Sequence, residues 1–234
     1  MIEQHTRSIM LYGKENIEKL KDKSVCVFGV GGVGGYVVEG LCRIGIGRLI
    51  IVDHDIISVS NLNRQIIATH STIGLSKVEV MKQRCLDINP NLKIETYQEF
   101  YLPNHHQDYL FHGVDYVVDA IDTVSAKIGI IEKCQELNIP IISSMGTGNK
   151  LDPSQLEVSD IYKTSIDPLA RVMRRELKKR HIKKCKVVYS KEAPLTPTIL
   201  EKNENGKVSP GSSPFVPSSA GLLIASEVIK DLLQ

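Results

Sequence analysis

The chain has 234 residues, 42% apolar and 24% charged, with a formal net charge of +2, which is ordinary for a soluble globular domain able to bury a core. No window approaches the roughly 18 uncharged apolar residues of a membrane span, and Met1–Lys14 is too polar for a signal peptide, so a cytoplasmic protein is expected. The five cysteines (Cys26, Cys42, Cys85, Cys134, Cys185) are odd in number, widely spaced and form no C-x-x-C pair, so neither a disulfide framework nor a zinc knuckle is indicated.

In chain order, residues 8–20 read as a weak helix interrupted by Gly13, with Arg7 just before it. Val25–Phe28 is a short apolar run that predicts a buried strand. Gly29, Gly31 and Gly34 follow as G-x-G-x-x-G, and Tyr36–Leu41 opens a helix. Glycines there allow a tight turn and close approach to a phosphate, whose charge the next helix N-terminus favours. Asp53 ends the next apolar run, Arg48–Val52, 19 residues after Gly34, where a carboxylate can take ribose hydroxyls. A Rossmann-type nucleotide site is expected, and the pattern alone leaves NAD, FAD and ATP open.

Beyond the irregular Ser58–Gln65, a helix is expected from Ser76 to about Ile88, where Asn89-Pro90 stops it. Leu92–Tyr97 and Val114–Val118 predict strands, 104–112 a short helix, Val124–Leu137 a helix and Pro140–Ser144 a strand. This alternation predicts a doubly wound, mainly parallel α/β sheet with the right-handed crossovers usual for such units. After residue 147 the rhythm changes to a strand (Gln155–Ile161), a helix (Asp167–Lys179) and a strand (Cys185–Ser190). A proline-rich loop, 191–214, expected to be mobile, then precedes an apolar C-terminal helix. One domain is expected over 1–234, with a nucleotide-binding core at 7–147 and a substrate-binding extension at 148–234.

Asn61, Arg64, Gln65 and Lys77 follow the second strand, and Asp119 and Asp122 the fourth, all near carboxyl edges where doubly wound sheets bind ligands. Cations and carboxylates converging there suit a triphosphate with Mg²⁺, the metal taking oxygen ligands and the leaving pyrophosphate taking positive charge. Each residue also has an ordinary reading. Asp122 fits an N-cap, Arg64 and Arg7 fit exposed surface positions, and Asp55 and Asp119 fit loop stabilisers. Lys77 at a helix start works against the helix dipole, which favours a phosphate partner.

Between Arg171 and Lys186 nine basic residues face one acid, Glu176, a local charge of +8 hidden by the modest total. Arg171, Arg174, Arg175 and Lys178 fall at i, i+3, i+4 and i+7, on one helical face. Such a stripe suits a nucleic-acid backbone or a solvated surface, and its charge density favours RNA.

The set Gly29-Val-Gly-Gly-Val-Gly34, Asp53-His-Asp55, Asn61-Leu-Asn-Arg-Gln65, Gly74-Leu-Ser-Lys77, Ile88-Asn-Pro90 and Asp119-Ala-Ile-Asp122 resembles the E1-like adenylating enzymes, the superfamily of ThiF, MoeB and HesA. The resemblance implies attack of a carboxylate on the α-phosphorus of ATP. It implies the glycine loop (Gly29, Gly31, Gly34) and Asp53 around adenosine and ribose, Asn61, Arg64 and Lys77 on the phosphates, and Asp122 on Mg²⁺, with Asp55 and Gln65 as further nucleotide-site candidates. Arg7 matches an arginine that crosses a homodimer into the partner's site. Lys163–Ala170, the basic helix, Val187–Glu192 and Phe215–Gly221 are similar to the tRNA threonylcarbamoyladenosine dehydratase branch, extending the likeness to nearly the whole chain. That branch implies ATP-dependent cyclisation of a threonylcarbamoyl group on tRNA, bound by Arg171, Arg174, Arg175 and Lys178. It also implies a monovalent cation (Na⁺ or K⁺) and a sulfur-transfer protein partner, toward which Cys185 is a candidate. Other branches activate the C-terminus of a ubiquitin-like sulfur carrier and usually carry C-x-x-C zinc pairs, which this chain lacks.

Overall fold

The computed structural model describes residues 2–103, 107–199 and 209–234. The chain opens with α1 (Ile2–Tyr12) and α2 (Lys14–Leu20), so the expected N-terminal helix starts earlier and breaks at Gly13, where φ is +80°. Then come β1 (Ser24–Phe28), α3 (Gly34–Ile44), β2 (Arg48–Val52), α4 (Lys77–Ile88), β3 (Lys93–Tyr97), β4 (Tyr116–Asp119), α5 (Val124–Leu137) and β5 (Ile141–Ser144). The last third adds β6 (Leu156–Asp160), α6 (Pro168–Lys179), β7 (Lys186–Ser190) and α7 (Phe215–Leu232). Of the helix expected over 104–112, residues 104–106 lie outside the described residues. Asp108–Phe111 makes only a single 3₁₀ turn.

The strands form one seven-stranded sheet in the order β3-β2-β1-β4-β5-β7-β6, parallel except for the antiparallel β6–β7 pair at one edge. Strand order reverses between β1 and β4, which leaves a crevice at their carboxyl ends. All five residues of β1 are buried, as expected for a parallel strand covered on both faces. Side chains alternate with period two. Val25, Val27, Leu49 and Ile51 face the layer that holds α3, α4 and α7, while Cys26, Phe28, Ile50 and Val52 face the α5 layer.

Small residues set how closely the helices approach the sheet and one another. A Cβ on Gly34 would lie 1.7 Å from the carbonyl oxygen of Gly29, so α3 starts directly against the turn that leaves β1. A Cβ on Gly221 would lie 2.4 Å from the Val33 carbonyl oxygen, and one on Gly40 2.9 Å from Ala225 Cβ, so α7 packs on α3 almost backbone to backbone. No helix among the described residues is long and apolar enough to cross a membrane.

Candidate active site

A cavity of about 540 Å³ opens at the crevice between β1 and β4. One side is formed by Gly29, Gly31, Gly32, Asp53–Asp55, Asn61, Arg64, Gln65, Lys77 and Ala120–Thr123; the other by Ser144–Gly148, Leu169 and the segment around Pro210. Gly29 holds φ +90°, and a Cβ there would sit 2.8 Å from the Ala120 carbonyl oxygen, so this turn excludes any side chain. Gly34 lies outside the cavity lining, and its position is explained by the α3–β1 packing described above.

Asp53 is anchored on both oxygens. Val30 N–H donates to Oδ2 at 2.6 Å and Asp55 N–H to Oδ1 at 2.9 Å, which fixes the glycine turn against the end of β2. Lys77, the first residue of α4, is almost fully buried, and its Nζ lies 2.6 Å from Asp55 Oδ2 and 4.0 Å from Asp53 Oδ1. The carboxylates offset the unfavourable placing of a cation at a helix N-terminus. Ligand atoms of Asp53, His54 and Asp55 lie within 4.8 Å of one another, but the Lys77 ammonium already stands against both carboxylates, so a metal ion there would meet a buried positive charge.

Arg64 differs from Lys77. Its guanidinium donates to Ser60 O and to Asn63 Oδ1, both at 2.8 Å, and no carboxylate lies within ion-pair distance among the described residues. Burial draws its pKa down from the usual arginine value. Beside it, Gln65 Oε1 is buried with no hydrogen-bond partner, an orphan acceptor on the cavity wall. Asn61 uses its side-chain oxygen to accept Ser58 N–H at 3.0 Å and so shapes the turn that presents Arg64.

The β4–α5 loop is held from below. Asp119 is fully buried and does not line the cavity; its Oδ2 lies 2.9 Å from Lys127 Nζ, also fully buried, and accepts Ser143 Oγ–H at 2.5 Å. Lys127 also donates to the Ile121 carbonyl at 3.1 Å. Sequence reasoning missed Lys127, although a lysine inside the otherwise apolar run 126–131 of α5 was the available signal. Asp122 is exposed at the cavity and is not an N-cap: Thr123 occupies that position, and among the described residues Asp122 accepts a hydrogen bond from the Thr123 hydroxyl at 3.4 Å. An exposed carboxylate with so weak an internal partner fits a hard divalent cation.

The ThiF family model matches residues 5–234. The chain belongs to the ThiF family. Along its full length it is similar to the tRNA threonylcarbamoyladenosine dehydratase of Bacillus subtilis (strain 168), at 41% identity over 244 residues, which span 100% of this chain and 96% of that one. Among solved structures it is similar to the Escherichia coli tRNA N6-threonylcarbamoyladenosine dehydratase TcdA in complex with AMP, with a TM-score of 0.91, 32% identity, and 99% and 94% of the two chains covered. The complex of TcdA with ATP gives the same TM-score of 0.91 at 32% identity, over the same shares of the two chains.

In this ThiF-family chain α6 begins at the cavity. Leu169 lines it, and Asp167 caps the helix by accepting Ala170 N–H at 2.7 Å. Arg171, Arg175 and Lys178 are exposed on the outer face, while Ala170, Met173 and Leu177 pack inward. Arg174 departs from the stripe expected from sequence. Its guanidinium is engaged by the carbonyl (2.9 Å) and hydroxyl of Thr164, so it ties α6 to the preceding turn. Glu176 gathers Lys179, Arg180 and Arg175, and its hydrogen bonds to them, the one from Lys179 foremost, hold its carboxyl down to about 2. Cys185 is buried, and burial pushes its thiol up to about 12, leaving almost no thiolate near neutral pH. Arg7 is exposed on α1 and lies outside this chain's own cavity lining.

Proposed function

We propose that this protein is an ATP-dependent tRNA threonylcarbamoyladenosine dehydratase that cyclises its substrate through an acyl-adenylate. The observation that carries this reading is the match over 99% of the chain to a TcdA structure holding ATP, combined with a cavity whose unpaired Arg64 and orphaned Gln65 Oε1 call for a polyanion bearing hydrogen-bond donors.

In this reading the glycine turn gives close backbone access to the nucleotide, and Asp53, with both oxygens already anchored, offers remaining lone pairs to ribose hydroxyls. Arg64 and Lys77 set positive charge against the phosphates. A phosphate displaces Asp55 as the partner of Lys77 or joins it. Asp122 offers an oxygen donor of the kind Mg²⁺ takes, and the ion when bound supplies charge against the departing pyrophosphate. The substrate carboxylate attacks the α-phosphorus and pyrophosphate leaves. A nucleophilic atom of the same threonylcarbamoyl group then attacks the acyl carbon and expels AMP, which carries away one carboxylate oxygen. The nucleoside thereby loses one water overall. Tethering of nucleophile to electrophile gives a high effective molarity, consistent with a cavity lined by no cysteine among the described residues.

Nucleoside mass spectrometry of tRNA carrying the open nucleoside tests this: protein plus Mg·ATP is expected to remove one water. Unchanged tRNA, with pyrophosphate exchange that depends on a carrier protein ending in Gly-Gly, would overturn the reading in favour of carrier activation.

The exposed Arg171, Arg175 and Lys178 are proposed to hold the tRNA backbone beside the cavity, with residues 148–234 as the substrate-binding extension. The Arg171→Glu/Arg175→Glu double variant is expected to weaken tRNA binding by about tenfold or more near 0.1 M salt and to flatten its salt dependence, with ATP affinity unchanged. A filter-binding salt series beside calorimetric titration of ATP measures both. A homodimer in which Arg7 enters the partner's cavity is also proposed. Supporting it, Arg7 is exposed away from its own cavity, and Met10 and Leu11 on the same helix leave 77% and 85% of their surface to solvent.

A further inference from the structure

Among the described residues, those lining the cavity opposite the glycine turn, Ser144–Gly148, Leu169, Ser209, Pro210 and Ser212, are uncharged. The segment 209–217 runs along it and contacts residues of both halves. Near one end Pro210 covers Gly148, whose Cβ would lie 2.8 Å from Pro210 Cβ. In the middle Ser212 O accepts Asn63 Nδ2–H at 3.0 Å, and the same Asn63 accepts from Arg64. At the far end Pro217 comes within 3.2 Å of where a Cβ on Gly32 would sit.

One residue fixes this segment to the β5 turn. Asn149 N–H donates to Gly211 O at 2.7 Å, Asn149 Oδ1 accepts Gly211 N–H at 2.6 Å, and Asn149 O accepts Leu195 N–H at 2.8 Å. Asn149 holds φ +58°, a left-handed conformation asparagine tolerates better than most residues. The turn beneath is rigid. The buried ammonium of Lys150 donates to Gly146 O at 2.8 Å and Asp167 Oδ2 at 2.7 Å, and Glu192 accepts the N–H groups of Leu151 and Asp152.

We propose that Asn149 is a positioning residue for the second substrate: it holds Pro210–Ser212 as the wall that sets a bound carboxylate in line with the α-phosphate. The proposal rests on the reading of the cavity as an adenylating site. It separates binding of ATP, which uses the glycine turn, Arg64 and Lys77, from alignment of the acceptor, which uses this wall. Three variants divide the role. Asn149→Asp keeps an acceptor oxygen for Gly211 N–H and tolerates the left-handed backbone. Asn149→Gly keeps the backbone conformation and loses the acceptor. Asn149→Ala loses both.

The test compares wild type and the three variants by calorimetric ATP affinity and by kcat and KM for tRNA, read as loss of water from the nucleoside. Asn149→Ala and Asn149→Gly are expected to lower kcat/KM for tRNA by about 10- to 100-fold, with ATP affinity within about twofold of wild type, and Asn149→Asp is expected to restore most of the loss. Wild-type kinetics in the Gly variant, parallel loss of ATP affinity in it, or recovery by Gly but not Asp would overturn the proposal. If Asn149→Ala does not fold, the Gly and Asp variants decide it alone. Wild-type protein that leaves the nucleoside hydrated would overturn the dehydratase reading itself, and the positioning role with it.

Discussion

Arg64→Ala is expected to lower ATP-dependent dehydration by about 10³-fold while leaving the unliganded protein as stable as wild type or more so. The opposite signs follow from one feature. The guanidinium is half-buried, its only acceptors are the Ser60 carbonyl and the Asn63 amide oxygen, and no carboxylate balances it among the described residues. Holding an unpaired charge away from water opposes folding, so its removal relieves the empty protein. Once pyrophosphate begins to leave, the same charge stands against developing negative charge in a partly desolvated cavity, where loss of one such donor costs on the order of 10²–10³ in rate. Arg64→Lys should recover only part of the activity, because a lysine point charge cannot bond Ser60 O, Asn63 and a phosphate in a planar fork. Single-turnover kinetics and thermal melting of the same preparations measure both effects. A melting temperature several degrees below wild type would show that Arg64 is a structural residue whose loss of activity is indirect.

Strands buried on both faces were legible because their apolar runs are short and bounded. Arg48–Val52 and the helix Val124–Leu137 have the expected limits, and β1 gains only Ser24. Of the residues expected at carboxyl edges, Asn61, Arg64, Gln65, Lys77 and Asp122 line one cavity and Asp119 does not; they converge because a parallel sheet delivers its strand ends to the same side. What sequence could not show was what each charge would touch inside the fold. Arg174 lies on the same helical face as Arg171 and Arg175, and periodicity cannot see that the turn at Thr164 folds back beneath it. Asp119 and Asp122 look equivalent in Asp119-Ala-Ile-Asp122, yet one points into the layer under the sheet and the other into the crevice, a difference set by Lys127 and Ser143 from other elements. Gly34 fits a phosphate motif equally well as a ligand contact or as a packing contact, and only the 1.7 Å that a Cβ would leave to Gly29 O distinguishes them. Asn149, sixty-two residues from its partner Gly211, carries no local signal beyond being an asparagine between turns.

Lys127→Met is expected to destabilise the protein by about 3–5 kcal/mol, because it strands the Asp119 carboxylate with no solvent access. Against a total stability of about 5–15 kcal/mol, this is a large fraction of what holds the fold. The carboxylate would keep its bonds from Ser143 Oγ–H and from Ile121 N–H at 3.3 Å, but neither supplies a counter-charge. Adding Asp119→Asn should recover much of the loss, since the asparagine oxygen can still accept Ile121 N–H, its amide N–H can donate to the Ser143 hydroxyl, and no charge stays buried. Urea denaturation of both single variants and the double variant gives the coupling directly. The pair also bears on the site. With Lys127 gone, the Ile121 carbonyl loses its donor and the loop carrying Asp122 loses its floor, so the double variant should be stable yet need more Mg²⁺ than wild type to reach half-maximal turnover. Full recovery of stability with an unchanged Mg²⁺ requirement would show that the buried pair serves folding alone. A single Lys127→Met variant within about 1 kcal/mol of wild type would show that water or a neighbouring group takes over the Asp119 charge, and that the pair does not anchor the loop.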